Sequence, residues 1–79
     1  PYYAKDVHIV ASGGNGADIQ IQVDGKPLTV DNAGMDTKNS QAHIAENRLY
    51  NLVSGKSAGG HILTITAHPG FEIFTFTFG

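Results

Sequence analysis

The sequence contains no cysteine and no tryptophan. Without cysteine the chain forms no disulfide and no zinc–thiolate site, and it carries out no thiol chemistry of its own. That absence leaves the compartment open, because an exported domain can dispense with disulfides. Without tryptophan it lacks the strongest side chain for stacking on a sugar ring. Charge is also scarce: 15% of residues are charged, the net charge is −2, and no basic run occurs. This argues against a nucleic-acid surface or a patch for anionic lipid. No apolar run approaches the roughly 18 residues of a membrane span, and no signal-peptide pattern is visible. What remains is 79 residues, one small domain that buries about 60% of its unfolded surface and therefore has a thin core. The chain starts at Pro1 rather than methionine, and we expect a fragment of a longer protein.

Period-2 alternation dominates. In KDVHIVA (5–11), Val7, Ile9 and Ala11 share one face. In DIQIQV (18–23), Ile19, Ile21 and Val23 face one way and Gln20 and Gln22 the other, the mark of a half-buried strand. Asp24-Gly25 is a hairpin pair, because glycine accepts the positive φ of primed turns. Leu28 and Val30 would resume a strand, with Pro27 confining its start to an edge or the turn. Residues 31–41 form a polar loop long enough to be functional or mobile. Residues 42–53 fit either a helical stripe (Ile44, Leu49, Leu52) or a strand with a bend, and the β-rich context favours a strand followed by a short turn-like segment. HILTITA (61–67) alternates again. In FEIFTFTF (71–78), Phe74, Phe76 and Phe78 share a parity opposite to Phe71 and Ile73, which predicts a bulge or a switch of faces near Ile73. So aromatic a strand should lie centrally, paired on both sides. SGGNG (12–16) and HPG (68–70) read as turns. Six to eight short strands at this spacing indicate an all-β sandwich or barrel.

The motifs exclude more than they assign. SGKSAGG (54–60) contains the GKS of a phosphate loop, but Tyr50 stands where the first glycine belongs and no helix follows. It reads as a glycine-rich turn between two strands. His8, His43, His61 and His68 show neither the i, i+4 spacing nor the H-x-H pair of a metal site. His68, before Pro69, should be exposed. Asp31 and Asp36 are the best cation candidates in the polar loop, yet the EF-hand spacing fails, and solvated turn chemistry is the stronger reading. No serine sits in a nucleophile elbow, and no acid/base pair is marked. The expectation is no catalytic residue, no metal and no cofactor. Gln20 and Gln22, on one strand face, could meet sugar hydroxyls, or could be the wet side of a sandwich.

RLYNLV (48–53), a glycine-containing segment, HILTIT (61–66), HPG and the closing FTFTFG (74–79) occur in an order that resembles the thioredoxin-like C-terminal domain of bacterial thiol–disulfide interchange proteins of the DipZ type, in the cytochrome c biogenesis/thioredoxin family. The opening AKDVHIV and the strand running into VDGKPL fit the same plan, so the resemblance covers essentially the whole chain. It implies a small antiparallel β-sandwich, jelly-roll-like and similar to carbohydrate-binding modules, spanning residues 1–79 as one accessory domain. It implies a periplasmic or otherwise extracytoplasmic setting, with an adjacent thioredoxin-like domain as partner and the redox cysteines held there. A glycan is a further possible partner. Arg48 and Tyr50 fall on the matching motif. Either they join Gln20 and Gln22 in binding a ligand, or the arginine pairs with a nearby carboxylate and the tyrosine packs with its hydroxyl at the rim.

Overall fold

The computed structural model describes residues 1–12, 16–67 and 71–79. The expected turns at 13–15 and 68–70, and the expected exposure of His68, lie outside the described residues. Every regular element described is a strand: β1 (Tyr2–Ser12), β2 (Ala17–Val23), β3 (Lys26–Pro27), β4 (Gln41–Ile44), β5 (Arg48–His61), β6 (Leu63–Thr66) and β7 (Glu72–Phe78). They form two antiparallel sheets. In the first the order is β5-β1-β7. In the second, β2 is central, with β3 and β4 along one side and β6 along the other. This is the all-β sandwich that the alternation predicts.

The core is where the parity argument puts it. Val7, Ile9 and Ala11 of β1 and Ile19 and Ile21 of β2 are fully buried, and Val23, Leu28, Ala42, Ile44, Tyr50, Leu52 and Val53 complete the cluster. Each fully buried Ile or Leu contributes about 1.5–3 kcal/mol by leaving water, so the twelve clustered side chains hold most of what stabilises so small a domain. The Asp24-Gly25 turn forms as expected. Both residues have positive φ (55° and 76°), and Val23 pairs with Lys26 across it, the backbone of a two-residue primed hairpin. Residues 42–53 are not helical: a strand, a short connection and a second strand occupy them.

Four expectations need correction. First, SGKSAGG is not a turn between two strands. β5 runs through it to His61. Ala4 pairs with Gly59 and Asp6 with Ser54, so Lys5 alone faces residues 55–58 in a wide bulge. Pairing with β1 on both sides of the bulge overrides the turn-forming composition. A second register shift, between Val7 and His8, lets the adjacent Leu52 and Val53 both be buried, since a bulge puts successive residues on the same side. Second, β3 ends at Pro27, which has no N–H to continue the ladder. Leu28 is buried but Val30 is 97% exposed. Third, the polar loop begins at Leu28 and ends at Ser40 rather than spanning 31–41, and hydrogen bonds connect it to β5. Gly34 N–H donates to Leu52 C=O (3.0 Å), Asp36 N–H to Asn51 C=O (3.0 Å) and Ser54 N–H to Asn32 C=O (3.0 Å). The buried Thr37 hydroxyl donates to Leu52 C=O (2.7 Å). The loop covers the outer edge of β5, which would otherwise carry unpaired backbone groups. Fourth, β7 is not central. Among the described residues it pairs only with β1, and Phe74, Phe76 and Phe78 are 57%, 42% and 48% exposed. The bulge predicted near Ile73 is present, opposite Val10 and Ala11.

Candidate functional site

Gln20 and Gln22 stand side by side on the outer face of the second sheet, because their neighbours Ile19, Ile21 and Val23 point into the core. Cross-strand partners widen this polar face. Gln20 lies opposite Gln41 on one side and Thr66 on the other, and Gln22 lies opposite Pro27 and Thr64. A shallow cleft of about 190 Å³ is lined by Gln20, Gln22, Pro27, Asn39 and Gln41 among others. Ser40 shapes its floor: its hydroxyl accepts from Leu28 N–H (2.8 Å) and donates to Ile21 C=O. Asn39 and Ser40 both have positive φ, the conformation that turns the chain back into β4. Amide groups give this cleft donors and acceptors, but among the described residues no aromatic ring lines it. Gln41 escaped sequence reasoning because its place beside Gln20 depends on register between strands about 20 residues apart.

Arg48 and Tyr50 are elsewhere, on β5 in the first sheet, and their polar atoms are already engaged. The Arg48 guanidinium reaches both carboxylate oxygens of Asp36 (2.8 and 3.3 Å) and lies 3.9 Å from the Tyr50 ring centroid, a cation–π contact. Tyr50 is 1% exposed. Its hydroxyl donates to Glu46 C=O (2.7 Å) and accepts from Ala45 N–H (3.1 Å), closing the connection from β4 to β5. The second oxygen of Asp36 also accepts from Asn51 N–H (2.8 Å). The Asn51 side chain takes Met35 N–H on Oδ1 (2.7 Å), so its Nδ2 is the donor to His8 Nε2 (3.1 Å). His8 therefore accepts on Nε2 and carries its proton on Nδ1 when neutral. The four sequence candidates thus fall into two places, with Gln20 and Gln22 in a free polar cleft and Arg48 and Tyr50 in a network that fastens the polar loop to β5.

Asp36 and its guanidinium partner make stability depend on pH. The hydrogen bonds from Arg48, seconded by the Asn51 N–H, hold the Asp36 carboxyl below its ordinary value despite partial desolvation. A depressed carboxyl contributes stability fully present above the unfolded value, about 3.9, and lost as pH falls through the lower folded value. Asp36→Asn is expected to cost about 1 kcal/mol at neutral pH, the pair being partly exposed. It should also flatten the loss of stability below about pH 4. Urea midpoints measured between neutral and acid pH test this, and an unchanged acid limb would remove Asp36 from the account.

His43 and His61 take structural partners too. His43 Nδ1 lies 2.8 Å from Asp18 and His61 Nδ1 2.6 Å from Asp24. The hydrogen bond from His61 and then that from Ile62 N–H hold the Asp24 carboxyl low. Among the described residues no group of three or more His, Asp or Glu side chains could hold a metal ion, and no helix is long and apolar enough to cross a membrane.

These features define a class: a small two-sheet β domain without a thiol, with its strongest polar network committed to holding a loop. The model of the thioredoxin-like C-terminal domain matches residues 1–79, and the chain belongs to that family. No curated protein and no solved structure matches it.

Proposed function

We propose that this domain is a non-catalytic accessory module, carried behind a thioredoxin-like redox domain in an extracytoplasmic thiol–disulfide interchange protein of the DipZ kind. In this reading its work is to bind the redox domain or its clients. The observation that carries the reading is the family match over all 79 residues of a chain with no cysteine. Redox chemistry in such a protein must be supplied by thiols outside these residues. The test is made on the intact protein and on a version ending before Pro1. Turnover of a small disulfide substrate should be retained in the shortened protein. Collapse of that turnover, with the remaining domain still folded, would show that these residues take part in the chemistry and that the reading is wrong.

The cleft of Gln20, Gln22 and Gln41 supports a second reading, glycan binding through a sheet face of a module similar to carbohydrate-binding modules. Amide side chains suit sugar hydroxyls, but among the described residues the cleft has no ring for stacking, which limits it to weak binding. Titration with soluble cell-wall and polysaccharide fragments, followed by residue-resolved NMR, decides it. Glycan binding predicts shifts at Gln20, Gln22 and Gln41, and their absence eliminates this reading.

A further inference from the structure

We infer that the aromatic cleft between β7 and β6 is the seat of the thioredoxin-like domain that precedes Pro1, an inference that rests on the accessory-module reading above. Phe78 lies opposite Val7 and Phe76 opposite Ile9, and directly paired residues share a face of the sheet. Val7 and Ile9 are fully buried, so both phenylalanines are on the core-facing side. They nevertheless remain 48% and 42% exposed. Tyr2 stacks on Phe78 (5.6 Å between centroids, 19°) and Phe76 stacks on Phe78 (6.0 Å, 5°). With Pro1 and Leu63 these rings line an apolar cleft of about 190 Å³.

The strand beside this cleft is open to a partner in its backbone as well. Asp6 and Gly79 exchange both hydrogen bonds, Asp6 N–H to Gly79 C=O (2.8 Å) and Gly79 N–H to Asp6 C=O (3.0 Å). Antiparallel ladders alternate bonded and non-bonded pairs. In the register of β1 and β7, His8 with Thr77 and Val10 with Thr75 are then the bonded pairs. The N–H and C=O groups of Phe76 and Phe78 point away from β1, to the outer edge, where no described strand lies. Natural edges are usually guarded by lysine, proline or an inward charge. β7 has none of these; its one charge, Glu72, is at the far end.

Two observations favour a tethered domain over a second copy of this chain. Pro1 itself lines the cleft, so a preceding domain would be delivered to it. The exposed parts of Phe76 and Phe78 amount to roughly 200 Å² of aromatic surface. A stable complex of two free proteins buries about 800 Å² on each side, so this patch is small for holding separate chains. A tethered domain acts at an effective concentration on the order of millimolar, and a small patch then suffices. The matching surface is uncharged and apolar, with an extended segment able to meet the free N–H and C=O groups of β7.

Hydrogen exchange in the intact protein tests this. The Phe76 and Phe78 amides should be protected, with no dependence on protein concentration. In Phe78→Asp, the Phe76 amide should exchange about ten-fold faster or more, and NMR relaxation should show the two domains tumbling separately. Val30→Asp, in the exposed part of the loop after β3, should change neither. The inference is overturned if both amides exchange in the wild-type protein as open strand edges do. It is equally overturned if their protection grows with concentration, which assigns the cleft to a second copy. Should Phe78→Asp unfold, wild-type exchange alone decides. A parent protein with no thioredoxin-like domain before Pro1 would overturn the accessory-module reading itself, a result distinct from a present domain that leaves β7 open.

Discussion

Tyr50→Ala is expected to leave the domain close to unfolding at room temperature, whereas Tyr50→Phe should keep it folded with a measurable loss. The tyrosine is the largest fully buried side chain, and removing a buried ring of this size costs about 3–5 kcal/mol. A 79-residue domain has about 4–12 kcal/mol of stability in all. The hydroxyl is a separate contribution. It ties Glu46 C=O and Ala45 N–H together at the approach to β5, and without it both backbone groups lose their partner at about 1–2 kcal/mol in total. The phenylalanine variant should therefore melt about 4–16 °C lower, with the Arg48 guanidinium still over the ring. Denaturation of the two variants separates the ring from the hydroxyl. Equal losses in both would mean that the ring contributes little, contrary to its burial.

Local patterns in the sequence lead to much of this fold. β1 and β2 are legible because Val7, Ile9 and Ala11 and then Ile19, Ile21 and Val23 follow the pleat without interruption. Asp24-Gly25 is legible because two consecutive positive φ values demand such a pair. The bulge at Ile73 shows as a break of parity within one strand. What depends on pairing at long range is not legible. Nothing local in SGKSAGG says that β1 will hold it as a strand on both sides of a bulge. Nothing in FTFTF says that β7 will stand at an edge, because sheet order is decided by which distant strands meet. The candidate site divides in the same way. Gln20 and Gln22 are visible as a pair on one face, while their neighbour Gln41 requires the register between β2 and β4. Asp36 reads in the sequence as a cation candidate of the polar loop, and only the fold brings it to Arg48, twelve positions on.

Gly34→Ala should be the most damaging glycine-to-alanine change among the described residues, because the space for a Cβ is already filled by backbone. A Cβ at that position would run into the Asn51 carbonyl oxygen and lie 2.7 Å from its carbonyl carbon. Neither atom can move without moving β5. The loop must retreat instead, and Gly34 N–H to Leu52 C=O (3.0 Å), Met35 N–H to Asn51 Oδ1 (2.7 Å) and the Thr37 hydroxyl to Leu52 C=O (2.7 Å) weaken together. Overpacking of this kind costs about 1–3 kcal/mol and occasionally more, and the lost hydrogen bonds add about 1 kcal/mol each where their partners stay buried. Gly25→Ala is the informative comparison. Gly25 has a φ of 76° with nothing within 4 Å of the added methyl, so only the backbone preference is lost, about 1 kcal/mol. Thermal melts should place Gly34→Ala at least about 10 °C below Gly25→Ala, and exchange should quicken at the Asp36 and Ser54 amides that tie the loop to β5. Equal melting points for the two variants would mean that the loop shifts aside at no cost. It would then not be the fixed cover of the β5 edge that its hydrogen bonds describe.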